Sequence, residues 1–184
     1  LLDSKNLSAT VDAVYAPSQD WSVYAFQTYE QLNANQAGHS FGGGANQIPQ
    51  SSDPRREWFV HHGDRIDTTG FGYKRLFGSG RGEFGIDYLR SKSWRGYDFA
   101  VGASLTTKPL PRDTTVLDSI NIYATYKMRE NLSMRMGYWY EEYSSSDWAV
   151  DGIDPNQLAN VILLGEDSPD YSDGVVSLSM IYRF

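Results

Sequence analysis

Apolar and polar residues alternate along seven stretches of the chain, which is the pattern of β-strands that have one apolar and one polar face. Six of these stretches are residues 6–15, 21–32, 65–77, 82–91, 117–126 and 131–143. The seventh is residues 175–184, in which one parity holds only apolar side chains: Val176, Leu178, Met180, Tyr182 and Phe184. The pattern predicts an all-β, antiparallel fold.

The parity of the apolar residues predicts which side chains share the outer face. In residues 21–32 both parities carry apolar residues, and there we place Tyr24 and Phe26 on the outer face. In the five other stretches before the last, the predicted outer residues follow from parity alone. They are Leu7, Ala9, Val11, Ala13, Tyr15, Phe71, Tyr73, Phe84, Ile86, Tyr88, Ile120, Ile122, Ala124, Tyr126, Leu132, Met134, Met136, Tyr138 and Tyr140.

Short and long connections take turns along the chain. The long polar segments are residues 33–57, 92–114 and 144–173. Outer-membrane barrels have short periplasmic turns and long extracellular loops, and strands of about 10 residues span the bilayer. Their alternation also keeps hydropathy low, so a mean hydropathy of -0.49 does not argue against them. We therefore predict a transmembrane outer-membrane β-barrel; a soluble antiparallel barrel or sandwich is the alternative.

The odd number of predicted strands, seven, bears on whether these residues can form a whole barrel. If the short turns are periplasmic, the C-terminus is periplasmic and the first strand starts outside the cell. Single-chain bacterial barrels instead have an even number of strands. We therefore expect residues 1–184 to be the C-terminal part of one larger barrel domain. An eighth strand hidden in a long segment is the alternative.

Composition narrows the functions further. The net charge of -7 argues against a nucleic-acid surface, and the absence of cysteine means that this chain cannot attach a c-type haem covalently. No hydrolase, P-loop or dinucleotide motif is recognisable, so we expect no enzyme. His61 and His62 are adjacent on a predicted strand and should point to opposite faces, which makes them a poor metal chelate.

The last long segment is strongly acidic. Nine Asp and Glu residues lie between Met136 and Tyr182, with no Lys or Arg. A solvated acidic loop is the simpler interpretation, and a calcium-bridged or partner-facing rim is the alternative.

The C-terminal third of the chain resembles a known family. The run "NLSMRMGYWYEEYSSSDWAVDG" (residues 131–152) and the closing "LGEDSPDY" and "YRF" (residues 164–171 and 182–184) are similar to the C-terminal end of the MtrB/PioB family. Members of this family are decahaem-associated outer-membrane β-barrel proteins. The resemblance is weaker before Gly70.

The resemblance implies a barrel of about 26 strands around a periplasmic multihaem c-type cytochrome. Electrons would cross the outer membrane to a surface multihaem cytochrome or another extracellular acceptor. Haem c would belong to the partner, and this chain would hold no cofactor. On this hypothesis Lys74, Glu83, Asp87 and Arg135 are lumen contacts to the guest; cross-strand salt bridges are the alternative role. A general porin with a water-filled lumen is the alternative function.

The last strand carries a further expectation. Outer-membrane lipid would cover its apolar side chains, and the pattern resembles the C-terminal signal that the barrel-assembly machinery recognises. The residues of this predicted signal are Val176, Leu178, Met180, Tyr182 and Phe184.

Overall fold

A computed structural model describes residues 1–41, 52–152 and 167–184, which form one seven-stranded antiparallel sheet. Each strand pairs with the next along the chain, so the described sheet is a meander with β1 and β7 at its edges. A short 3-10 helix, Pro54–Arg56, precedes β3. The strands are β1 (Asp3–Ser18), β2 (Trp21–His39), β3 (Glu57–Phe77), β4 (Gly82–Val101), β5 (Asp113–Arg129), β6 (Leu132–Ser146) and β7 (Tyr171–Tyr182).

The predicted antiparallel strands are confirmed, but their predicted length of about 10 residues is wrong. β3 has 21 residues and β4 has 20. The prediction stopped where regular apolar alternation stops, whereas the backbone ladder continues through residues in which apolar and polar side chains no longer alternate, such as Trp58, Phe59 and Val60 of β3. The described strands therefore extend into the segments predicted to be polar connections: β2 ends at His39, β3 begins at Glu57, β4 ends at Val101 and β6 ends at Ser146.

All short connections lie at one end of the sheet, which we call the short-turn end; the opposite end is the long-loop end. The turn between β3 and β4 contains Gly78, Ser79 and Gly80, all with positive φ. Glycine adopts this conformation without strain, whereas serine rarely does. The turn is therefore specified by its glycines.

Register sorts the side chains onto two faces. Val23, Tyr73 and Ile86 lie in one cross-strand row that continues through Ile122 and Tyr138 to Val176. This row belongs to the apolar face, which also carries the predicted outer residues of β1 and β3 to β7. The other face, the polar face, carries the residues of opposite parity. The parity predicted for these six strands is confirmed.

The sheet has almost no side-chain core. Ala34 and Val60 are the only buried apolar side chains among the described residues. On the apolar face, Val11 is 75% exposed and Val176 is 74% exposed. A single layer that exposes such side chains needs an apolar environment on that side, since burial of apolar surface is the main stabilising term in folding.

The continuous run of apolar side chains on the apolar face lies next to the short-turn end, and we call it the apolar band; Phe59 and Ala100, near the long-loop end, lie apart from it. On β3 it ends at Phe71, beyond which Thr69, Asp67 and Arg65 follow on the same face. At about 3.3 Å per residue, β3 is about 70 Å long, whereas outer-membrane barrels carry an apolar band about 25 Å tall. The ladder therefore extends far beyond the band. Among the described residues, no helix has the length and apolarity to cross a membrane.

Arg81 ties two neighbouring turns together at the short-turn end. Its guanidinium group donates hydrogen bonds to the carbonyl oxygens of Lys127 (3.2 Å) and Met128 (3.0 Å). The same group lies 5.3 Å from the ring centroid of Tyr126. The turn after β3 is thereby fixed to the end of β5.

Replacing Arg81 with Gln should loosen this end of the sheet. Hydrogen bonds that involve a charged group are individually strong, but this side chain is exposed, so we expect a loss of about 1–2 kcal/mol in the free energy of unfolding. Urea unfolding of the full-length protein in detergent measures it. Arg129→Gln is the control, since the Arg129 side chain makes no such bond within the described residues. Equal stability of the two variants would contradict the tie.

Candidate functional site on the polar face

The four charged residues nominated from the sequence all lie on the polar face. Register aligns Lys74 of β3 with Gly85 of β4, and Asp87 two positions further along β4. It also places Arg135 of β6 opposite Thr125 of β5, which in turn opposes Glu83 of β4. The four residues belong to two adjacent groups.

The first group joins four consecutive strands. Lys74 Nζ lies 2.8 Å from Glu83 Oε2, and the Tyr123 hydroxyl donates to Glu83 Oε1 at 2.9 Å. The guanidinium carbon of Arg135 lies 4.3 Å from the Tyr123 ring centroid, within the range of a cation–π contact. Lys74 and Glu83 thus form a cross-strand ion pair. Arg135 is exposed and has no carboxylate within ion-pair distance in the described part of the chain.

The second group is centred on Asp87. The Tyr24 hydroxyl of β2 donates to Asp87 Oδ1 at 2.8 Å, and Asn121 Nδ2 of β5 donates to Oδ2 at 3.5 Å. Gly72 of β3 lies between Tyr24 and Asp87 in the same cross-strand row. Both carboxylate oxygens of Asp87 are therefore engaged, one by β2 across β3 and the other by the adjacent β5.

Glycines make room for the two tyrosine rings. A Cβ atom at Gly72 would lie 2.5 Å from Tyr24 Cζ, and one at Gly85 would lie 2.5 Å from Tyr123 Cζ, well inside van der Waals contact. The rings therefore lie flat over the backbone of the neighbouring strand, as aromatic residues do when they cover a cross-strand glycine. The polar face therefore has a low relief: its side chains project little from the sheet, although some of them are large.

The prediction that Tyr24 and Phe26 face outward is wrong. Register places them opposite Gly72 and Gly70 on the polar face, where the Phe26 ring covers Gly70. Alternation could not decide because apolar residues occupy both parities of β2. The two glycines are the sequence signal for the aromatic positions, but they become informative only once the register of β2 against β3 is known. The true apolar face of β2 starts with Trp21, Val23 and Ala25.

The adjacent histidines point to opposite faces, as predicted. His61 Nδ1 lies 2.8 Å from Asn35 Oδ1 on one face. His62 Nε2 lies 2.9 Å from Asp64 Oδ1 on the other, and Asp64 also accepts a bond from Arg95 at 3.0 Å. Within the described residues, no group of three His, Cys, Asp or Glu side chains is arranged to hold a metal ion.

Acidic side chains of the last connection bind the backbone. Asp151 accepts hydrogen bonds from the N–H groups of Ser168 (2.6 Å) and Asp147 (2.7 Å). Hydrogen bonds from Ser168, and next from Asp147, hold the pKa of the Asp151 carboxyl below its usual value. Asp170 likewise accepts from Ser145 N–H at 2.9 Å. These carboxylates stabilise the loop; Asp154 and Glu166 lie outside the described residues.

The predicted C-terminal residues lie on the apolar face, apart from Phe184, which lies beyond the end of β7. Val176, Leu178 and Met180 oppose apolar-face residues of β6 and are largely exposed. The rings of Tyr182 and Phe184 contact each other edge to face, with centroids 5.0 Å apart. Their role as an assembly signal stays a prediction.

Comparison with known proteins shows similarity along the entire chain. The family model for the outer membrane beta-barrel porin MtrB/PioB matches residues 1–184. The chain is also 29% identical, over 185 residues, to Outer membrane protein MtrB of Shewanella baltica strain OS185. That match covers 100% of this chain and 24% of the relative, so the chain spans about a quarter of the length of that curated protein.

Replacing Gly72 with Ala should push the Tyr24 ring off the wall and break its bond to Asp87. Overpacking of this kind costs about 1–3 kcal/mol. Gly96→Ala is the matched control, because the nearest atom to a Cβ there is Arg112 Cγ at 4.0 Å. Urea unfolding of both variants in the full-length protein measures the difference. If Gly72→Ala is as stable as the control, the ring does not rest against Gly72.

Proposed function

The chain belongs to the MtrB/PioB family of outer-membrane β-barrel proteins, and from this premise we propose that it forms part of a barrel wall around a periplasmic multihaem c-type cytochrome. The barrel would insulate and position that guest so that electrons cross the outer membrane. Haem c would reside in the guest, and this chain would contribute no redox group of its own.

The low relief of the polar face is the observation that carries the proposal. Narrow barrels fill their interiors with their own side chains. Here Gly72 and Gly85 receive tyrosine rings that lie flat, and Lys74 and Glu83 neutralise each other at the wall. Such a surface leaves the lumen free for a large occupant. A wide, water-filled porin has the same requirement and is the competing function.

The sheet edges support a larger barrel. β1 and β7 are the edge strands of the described sheet, and unpaired backbone groups cannot lie in hydrocarbon without a large free-energy cost. The relative MtrB is about four times as long as the matched region. Residues 1–184 would therefore be one portion of a single barrel domain whose remaining strands close on β1 and β7.

Orientation follows from the connections. In outer-membrane barrels the long loops are extracellular, so the long-loop end would face the medium and the C-terminus the periplasm. A surface multihaem cytochrome would then dock at the long-loop end. The barrel-assembly machinery would recognise the apolar residues of β7.

The four lumen residues take different roles in this proposal. Lys74 and Glu83 satisfy each other, and Asp87 is held by Tyr24 and Asn121, so these three stabilise the wall. Arg135 is exposed and rests on a ring rather than on a carboxylate. It would be the residue of the four that offers its charge to an acidic patch of the guest.

Co-purification tests the proposal. The full-length protein, extracted from outer membranes in mild detergent, should carry a haem Soret band that co-elutes with the barrel in size-exclusion chromatography. A haem-free particle that conducts ions in planar bilayers would overturn the proposal in favour of the porin.

Variants separate guest contact from wall stability. Arg135→Glu should lower the haem retained per barrel about fivefold in a salt wash, because a repelling charge replaces an attractive one. The exchange Lys74→Glu with Glu83→Lys preserves the ion pair and should leave retention unchanged. Equal retention by both variants would remove Arg135 from the contact.

A further inference from the structure

An open groove lies on the outward side of the sheet, beyond the apolar band toward the long-loop end. It has a volume of about 600 Å³, and its walls include Tyr29, Arg65, Trp94, Asp98 and Arg112. Gly63 and Gly96, which oppose each other in the register of β3 and β4, lie at its floor. We call it the outer groove. Tyr29, Arg65, Trp94 and Asp98 have the parity of the apolar face, so the groove does not open toward the lumen.

Cations and aromatic rings alternate around the outer groove. The guanidinium carbon of Arg65 lies 5.2 Å from the Tyr29 ring centroid and 5.5 Å from that of Trp94. Lys92 lies just outside the lining of the groove, on the side toward the apolar band, with its Nζ 4.8 Å from the centroid of the Trp94 ring. The two rings fix the orientation of the Arg65 guanidinium. Its Nε and Nη2 groups contact Asp67, and its remaining N–H groups are available to phosphate oxygens.

The charge balance favours an anion. Asp67 is bound by Arg65, with Arg65 Nη2 3.0 Å from Asp67 Oδ2. Lys92 and Arg112 have no carboxylate within ion-pair distance in the described part of the chain. The cations Arg65, Lys92 and Arg112 outnumber the two carboxylates of the site, Asp67 and Asp98. The site therefore keeps a net positive charge, although the net charge of the chain is -7. Asp98 is exposed and lines the same groove as Arg112, and its carboxylate can accept hydrogen bonds from sugar hydroxyls.

The height of the groove narrows the class of ligand. Along the strands, Lys92 is about 13 Å beyond Tyr88 and Arg65 is about 20 Å beyond Phe71, at 3.3 Å per residue. With a strand tilt of about 40°, these distances correspond to about 10 and 15 Å above the apolar band. The headgroup layer of an ordinary bilayer is only about 5–8 Å thick on each side. The groove therefore reaches beyond a glycerophospholipid headgroup.

We propose that the outer groove binds the phosphorylated saccharide headgroup of a glycolipid in the leaflet at the long-loop end. Lys92 and Arg65 bind the phosphates, the faces of Trp94 and Tyr29 hold Arg65 in place, and Asp98 accepts sugar hydroxyls. The site depends on the outer-membrane location of the family and not on the presence of a cytochrome guest.

Native mass spectrometry of the full-length protein in detergent tests the site. The protein is titrated with bisphosphorylated lipid A, with its dephosphorylated form and with phosphatidylglycerol. We expect bisphosphorylated lipid A to bind at least about tenfold more tightly than either of the others. Equal binding of the dephosphorylated form would overturn the phosphate contact, and equal binding of phosphatidylglycerol would overturn the saccharide requirement.

A pair of double variants locates the binding. Arg65→Gln with Lys92→Gln should abolish the preference for phosphorylated lipid A, whereas Lys127→Gln with Arg129→Gln removes the same charge at the short-turn end and should preserve it. Heat-modifiable migration in gels confirms that both variants are folded barrels. Unchanged preference in the first variant would contradict the site. If that variant fails to fold, the comparison of lipids on the unmodified protein still decides the proposal.

Discussion

Backbone hydrogen bonding between neighbouring strands is the interaction on which the rest of this structure depends. With only Ala34 and Val60 as buried apolar side chains among the described residues, the sheet is not held together by a core. In hydrocarbon, every N–H and C=O group must find a partner within the protein, and a continuous antiparallel ladder provides these partners for all strands except those at an edge. Within the described residues β1 and β7 each have one side without such partners, and this is the physical argument behind the proposed larger barrel.

Side chains on the two faces then meet different demands. The apolar face needs only hydrophobicity and tolerates exposure because lipid replaces water there. The polar face must carry charges without leaving them unsatisfied. It does so by pairing across strands: Lys74 with Glu83, and Asp87 with Tyr24 and Asn121. Glycines opposite the tyrosines keep these networks close to the backbone, so charge is accommodated without filling the lumen.

The hydrogen-bonded strands extend beyond the apolar band toward the long-loop end, and this difference in length divides the described sheet into two zones. Next to the short-turn end, the faces differ sharply in polarity, as a membrane requires. Toward the long-loop end the two faces no longer differ in this way. The polar face carries the apolar side chains of Trp58, Val60 and Phe99 beside the His62–Asp64–Arg95 contacts, and the outer groove lies on the other face. Carboxylates such as Asp151 and Asp170 then tie the last connection to its own backbone. The part of the sheet that carries the apolar band and the part beyond it, toward the long-loop end, are thus formed by the same strands.

The sequence by itself determined the seven strands found in the described residues, their antiparallel order and the outward parity of six of them, because alternation has a period of two and each outward residue must be apolar in lipid. It also placed Lys74, Glu83, Asp87 and Arg135 on the polar face. Tertiary structure alone decided where the strands end, since hydrogen bonding continues where alternation does not. It also decided the side of Tyr24 and Phe26. Register against Gly72 and Gly70 settled that side, and register is a relation between strands that no single strand contains.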